Sequence, residues 1–426
     1  MKSTLAYDSR WLRLDNAAKI YPVVATEKNS GVFRVAAQLT DLIDKDILLR
    51  AVEDTRDRFP SFFVKLHQGF FWFYYEPNLK PVIIRNESSY ICEEMIAHKN
   101  NGYLFKFFYY QNRISLEVFH SLSDGTGAFA LLKAVVFRYL ELAGYPLVND
   151  GSVLSLDDRP SREELEDSYN ALFTKKKRNK FLNTTAYRFR GKAFKDKGGI
   201  GLIAATIDTV QLKQLSKSYQ ATVSEFLVAL ISYSIIQSGN QKQLAKHPIR
   251  ISVPVNMRRF LYSQSLRNFS LFFNTTLYTE GKNLSFDTVL SMTQNQFRQE
   301  LTLNRLQDRL NENVQFEKNI LVKILPLALK KMIFKIGYSI IGHRPSSISL
   351  TNFGEIKLPE TMADHVTAFE FNLASGKKPG VAVNTYNNHT KIIFNRCFES
   401  TELERVFVKF LVDKGLKIQI DSNHWQ

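Results

Sequence analysis

Two side chains in the stretch 114–140 combine a reactive type with a telling position, His120 and Asp124. Ile114, Leu116 and Val118 alternate with Ser115 and Glu117, the period of a half-buried strand. His120 shares the parity of the apolar residues, so its imidazole should point inward. A neutral imidazole, with an ordinary pKa near 6.5, can accept the proton of a hydroxyl as that oxygen attacks an acyl carbon and then return it to the leaving group. Such help is worth roughly 10²- to 10⁴-fold in rate. After His120 comes a polar, glycine-bearing turn, 121–127. Asp124 lies four residues beyond the histidine and is expected to turn away from it, while Gly125 is expected to allow a tight backbone path into a helix.

That helix must position the turn. Ala128, Phe129, Leu131, Leu132, Val135, Val136, Tyr139 and Leu140 recur at the spacing of one broad helical face, and Gly144-Tyr145-Pro146 ends it. On the other side, 104–110 should pair with 114–120 across Gln111-Asn112-Arg113, which makes the histidine strand the second arm of a hairpin. Upstream, 32–39 reads as a strand. Asp44 or Thr40 can cap a helix whose Ile47, Leu48, Ala51 and Val52 share a face, and 69–75 (GFFWFYY) reads as a buried aromatic strand. Downstream, 202–207, 249–255, 271–278, 348–351, 366–373, 381–386 and 391–398 read as strands. Thr222-Val-Ser-Glu225 is a capping box, 286–310 a long helix and 401–414 a closing helix.

Composition bounds the alternatives. With 426 residues, 44% hydrophobic and 13% aromatic, the chain can bury a large core, and two lobes are expected: 1–150, then a basic linker 151–200, then 201–426. The net charge of +16 is scattered, with its densest run, KKKRNK at 175–180, in the linker. No zinc-finger spacing, RNP-type strand or basic heptad helix points to nucleic acid. His67, His98, His247, His343, His365, His389 and His424 lack metal-ligand spacing, so no metal is expected. Cys92 and Cys397 show neither metal spacing nor a disulfide framework. A serine elbow and a phosphate-binding P-loop are both missing from the sequence. The opening MKSTLAYDSRWLRLDNAAK has no apolar leader and reads as cytoplasmic.

FHSLSDGTG, with its strand, turn and helix, resembles the His-x-x-x-Asp-Gly motif of the chloramphenicol-acetyltransferase-like superfamily. A single histidine preceded by Phe119 is more similar to the microbial alcohol acetyltransferase branch than to condensation domains, which carry two adjacent histidines. SVPVNMRRF at 252–260, SLTNFGEIKLP at 349–359 and VNTYNNHTKIIF at 383–394 resemble further landmarks in family order, and DRFPSFFVKL matches in part. The Asp-Phe-Gly-Trp-Gly motif of the plant branch is absent.

The resemblance implies an α/β fold with mixed sheets, two-lobed, with a substrate channel between the lobes and His120 at its middle. It implies transfer of an acyl group from acyl-CoA, a co-substrate rather than a permanently bound cofactor, to an alcohol, with His120 as general base and no covalent intermediate. A short acyl chain such as acetyl is expected. Asp124 would pair with an arginine that orients the loop, for which Arg10, Arg58 and Arg258 are all open. Thr351 or Asn352 could donate to the oxyanion, or could simply pack at a strand end. Alternatives are a condensation-type enzyme with a carrier-bound donor, or a non-catalytic membrane- or partner-binding protein on the same fold. Finally, 320–341 is apolar but broken by Lys323, Pro326, Lys330, Lys331 and Lys335, which excludes a spanning helix. It reads as a core helix with lysines outside, or as an interfacial helix touching anionic membrane. A monomer or weak oligomer is expected.

Overall fold

The computed structural model of the protein describes residues 11–423 apart from 28, 89, 175–184, 195–199, 320–323, 338–345 and 374–377. In chain order the strands are β1 (Leu12–Arg13), β2 (Val32–Leu39), β3 (Val64–Gln68), β4 (Phe73–Pro77), β5 (Ile84–Asn86), β6 (Phe105–Tyr110) and β7 (Arg113–Phe119). They continue with β8 (Gly201–Asp208), β9 (Ile249–Asn256), β10 (Ser270–Leu277), β11 (Ile348–Glu355), β12 (Val366–Asn372), β13 (Gly380–Tyr386), β14 (His389–Arg396) and β15 (Ile418–Ser422). The longer helices are α1 (Lys45–Asp54), α2 (Gly125–Leu142), α3 (Thr209–Ser218), α4 (Val223–Ser238), α5 (Phe286–Glu300), α6 (Leu303–Lys318), α7 (Leu327–Gly337) and α8 (Glu402–Asp413).

Two larger sheets carry two cores. The five-stranded sheet runs β12-β2-β7-β6-β5, and α1 and α2 pack on it. The seven-stranded sheet runs β10-β9-β11-β13-β14-β8-β15 and is covered by α4, flanked by α5 and α8. A small β1-β4-β3 sheet adjoins the first. The two halves of the chain are interlocked, because β12, far along the sequence, closes the edge of the first sheet by pairing antiparallel with β2.

Local sequence explains most of these elements. Asp44 caps α1 by accepting from the amides of Asp46 and Ile47. The capping box of Thr222 and Glu225 starts α4, which buries Phe226–Ile231 continuously. Gln111, at φ 50°, and Asn112 form the two-residue turn that sets β6 against β7.

Four expectations need correction. The motif strand β7 is buried on both faces rather than one, because Glu117 receives Arg34 Nη2 at 2.7 Å and Arg34 also reaches Glu87. That ion-pair network lets a second face leave water. The segment 69–75 is not one buried strand. Gly69–Trp72 is the tip of the β3–β4 hairpin, and Phe70 is 71% exposed there. The helix expected over 286–310 breaks at Leu301-Thr302, where the Thr302 hydroxyl accepts from Arg305 N at 3.4 Å and begins α6. In α7 the lysines do not all face out. Lys330 is 1% exposed, with Nζ donating to Phe71 O at 2.9 Å and lying 3.9 Å from the Trp72 ring, whereas Leu329, Met332 and Ile333 are exposed.

Candidate functional site

β7 ends beside the N-terminus of α2, and the site is built at that junction. The backbone N–H of His120 donates to Gly31 O at 2.8 Å, continuing the β2–β7 ladder to its last residue. The imidazole is half-buried, stacked on Tyr21 with ring centroids 4.5 Å apart and edge-on to Phe33 at 5.1 Å. Burial lowers its pKa below 6.5, more than the bond to its own backbone, the charge of Asp124 and the bond to Asn268 raise it. The ring is therefore neutral at ordinary pH, the form that can accept a proton.

Asp124 is the N-cap of α2, with Oδ1 accepting from Thr126 N at 3.0 Å. Its Oδ2 receives Arg258 Nη1, Phe269 N and Ser270 Oγ, each at 2.9 Å. Burial alone would raise this carboxyl. The guanidinium and these hydrogen bonds overcome it and hold the group below its ordinary 3.8. Of the three arginines left open by the sequence, Arg258 is the partner. Arg58 pairs instead with Glu164, through Nη1 at 2.5 Å, and Arg10 lies outside the described residues.

The tight backbone approach is at Gly127, not at Gly125. A Cβ on Gly127 would lie 2.0 Å from Leu266 O and 2.2 Å from Ser123 Oγ, whereas one on Gly125 would meet the rings of Phe353 at 3.6 Å and Phe371 at 3.8 Å, both ordinary contacts. Phe353 sits at the bulge of β11, its ring 4.1 Å from that of Phe129 on α2. The candidates Thr351 and Asn352 lie just before that bulge. Asn352 donates to Ser224 Oγ at 3.1 Å and accepts from Gly354 N at 2.9 Å. β9 and β11 pair only at Ile251↔Ile348 and Ser252↔Ser349, and beyond this short ladder Asn256 reaches over to Thr126 Oγ1 at 3.2 Å. The N-terminus of α2 is thus tied to the end of β9.

Several site residues carried no sequence signal. Asn268 Oδ1 lies 3.1 Å from His120 Nδ1, and Asn268 in turn contacts Asp15. Tyr21 and Ser270 line a cavity of about 350 Å³ with Trp72, Tyr169, Leu271 and Phe272. The segment 151–200, expected as a basic linker, supplies Tyr169, whose hydroxyl accepts from Ser270 N at 3.1 Å. These residues come from segments with no shared local period, so only the assembled fold brings them together.

No family model matches the chain, and no curated protein does. Solved structures do. The chain is similar to F. sporotrichioides TRI101, solved with coenzyme A and T-2, at TM-score 0.62 and 11% identity over 96% of this chain and 100% of that one. It is also similar to TRI3 trichothecene 15-O-acetyltransferase from the same organism, at TM-score 0.58 and 10% identity over 96% and 97%. The first condensation domain of the CDA synthetase aligns at TM-score 0.59 and 12% identity over 95% of each chain. The fold is the two-lobed, mixed α/β chloramphenicol-acetyltransferase-like fold.

Gly127→Ala should destabilise the protein by ~3 kcal/mol or more, because backbone and a buried hydroxyl must move, whereas Gly125→Ala should change stability by under ~1 kcal/mol. Urea unfolding of both variants measures this, and equal losses would contradict the placement of the close approach.

Proposed function

We propose that the protein is an acyl-CoA-dependent O-acyltransferase in which His120 is the general base. The observation that carries this is a neutral, half-buried imidazole at the end of β7, beside an ionised Asp124 held by Arg258. His120 would take the proton of an alcohol hydroxyl as its oxygen attacks the thioester carbonyl. The C–O bond forms, the C–S bond breaks, and the proton passes to the departing thiolate. Asp124 orients the loop without touching substrate. Either Thr351 or Asn352 would supply a donor to the oxyanion. Solution with coenzyme A and T-2 of TRI101, a fold neighbour, supports the donor class. An acetyl or other short acyl group is the donor proposed.

A covalent route through cysteine has little support in the geometry. Burial pushes the Cys397 thiol up to about 12 and the fully buried Cys92 well above its ordinary value, so neither offers a ready thiolate. A neutral base predicts an acid limb: kcat should rise with pH through an apparent pKa at or below 6.5, because protonated His120 cannot accept a proton. Thiol release from acyl-CoAs with a panel of alcohols should fall by roughly 10²-fold or more in His120→Ala. Turnover by His120→Ala at the wild-type rate would refute the assignment.

The acceptor is proposed to be apolar and to be met at an anionic membrane surface. Trp72, on the cavity wall, belongs to the hairpin tip, and α7 is joined to that tip by Leu327 N donating to Phe70 O at 2.8 Å. Phe70, Phe71, Leu329, Met332 and Ile333 are therefore an exposed apolar rim on a protein of net charge +16. Among the described residues no single helix is long and apolar enough to cross a membrane, and the one pair that passes together, α3 and α4, is bent by 77°. The protein should co-sediment with vesicles containing anionic lipid, and Phe70→Ser/Phe71→Ser should reduce the bound fraction several-fold. Equal partitioning of both proteins would remove the membrane from this reading.

A further inference from the structure

His120 has a second tether besides the loop that Asp124 fixes. Its Nδ1 faces Oδ1 of Asn268 at 3.1 Å, and Asn268 is almost fully buried. The orientation of that amide follows from its other end. Nδ2 of Asn268 faces two acceptors, Asp15 Oδ2 at 3.2 Å and Ser121 O at 3.5 Å. Turning the amide over would set its carbonyl oxygen against both of them. Oδ1 therefore faces the imidazole, and since a carbonyl oxygen only accepts, Nδ1 must carry the ring proton. A neutral imidazole has one proton, so Nε2 is left with its lone pair.

We infer that Asp15 and Asn268 are positioning residues that hold His120 in its Nδ1–H tautomer, so that Nε2 is the atom that accepts the proton. This inference rests on the proposed role of His120 as base. Asp15 follows β1, and its side chain is fully buried, with Oδ1 accepting from Ala18 N at 2.7 Å. The fixed Oδ1 leaves Oδ2 to face Asn268. The tether joins distant parts of the chain, since Asp15 is 253 residues from Asn268 and Asn268 is 148 from His120. Asn268, Phe269 and Ser270 are consecutive, so one short segment grips the imidazole through its first residue and the Asp124 carboxylate through the next two.

The carboxylate form of Asp15 is what sets the direction of the amide. Facing it are Arg267, with Nε at 3.7 Å, and the more distant charge of Asp167, while the hydroxyls of Tyr75 and Tyr169 lie close enough to feel it. Burial outweighs Arg267 and raises the Asp15 pKa from 3.8 to about 6. As pH falls through that value, Asp15 gains a proton and Oδ2 can become a donor facing the donor Nδ2. Reversal of the amide relieves the conflict, but it turns Nδ2 toward Nδ1 and moves the ring proton to Nε2. The acid limb of activity then contains two protonations, that of His120 and that of Asp15. Both act in the same direction: activity is present above the two pKa values and lost below them.

The test uses the full chain labelled with ¹⁵N-histidine, with the His120 signals identified by their disappearance in His120→Gln. At pH 8 the wild type should show the Nδ1–H pattern for His120. Asp15→Asn and Asn268→Ala should lose that preference and lower kcat by roughly 10- to 10²-fold with little change in KM. The exchanged pair Asp15→Asn/Asn268→Asp keeps a donor at position 15 and an acceptor toward Nδ1, so it should recover the tautomer and most of the rate. An Nε2–H pattern in the wild type overturns the inference, and so do single variants that keep both the wild-type tautomer and kcat. Should the variants fail to fold, the wild-type spectrum alone decides. Loss of the base assignment is distinguishable, because it shows as unchanged turnover in His120→Ala whatever the tautomer.

Discussion

A buried carboxylate that must remain ionised is the constraint on which this structure turns. Asp124 is 3% exposed, and an unpaired charge there would cost several kcal/mol. Its four donors come from both halves of the chain: the amide of Thr126 from its own helix, Arg258 and Phe269 from the segment between β9 and β10, and Ser270 from the first position of β10. The turn that follows His120 cannot shift without stranding that charge. Two sheets with separate cores are thus locked together at the point where the chemistry is proposed.

The same burial acts oppositely on the two titrating groups. It disfavours the imidazolium, leaving His120 neutral, and it would neutralise Asp124 were the guanidinium absent. One low-dielectric junction therefore holds a neutral base four residues from a fixed anion. Stacking on Tyr21 and edge contact with Phe33 limit the rotation of the ring, while the bulge at Phe353 closes the start of α2. Positional precision of this kind matters because aligning reacting groups can supply a large part of the rate, roughly 7–11 kcal/mol in favourable cases.

Much of the site was legible where its cause was local. The alternation of Ile114, Leu116 and Val118 located the strand, the polar glycine-bearing turn marked the entry to the helix, and the apolar face of 128–140 located α2, whereas the capping role of Asp124 emerged only from the structure. Arg258 could be named only as one of three, because it lies 134 residues from Asp124 and pairing at that range leaves no periodic trace. Asn268, Asp15 and Tyr169 were silent for the same reason. Gly125 was read as the tight position because it ends the motif where the turn enters the helix, but the backbone that crowds the turn is Leu266, which reaches Gly127 from the other half of the chain. Phe70 and Phe71 looked buried because aromatic runs usually are, and a hairpin tip overrode that tendency. Lys330 looked exposed because lysines usually are, until Trp72 and the Phe71 carbonyl supplied partners.

The central claim is that Asp124 serves the reaction only through its effect on His120. A double-mutant cycle measures this directly, with kcat determined for wild type, Asp124→Asn, His120→Ala and the double variant. If the carboxylate acts by holding the imidazole, Asp124→Asn should lower kcat in the presence of His120 and have no further effect in its absence, so the double variant should match His120→Ala. Multiplying effects, with the double variant slower than either single one by the product of their losses, would contradict the account and give Asp124 a role of its own.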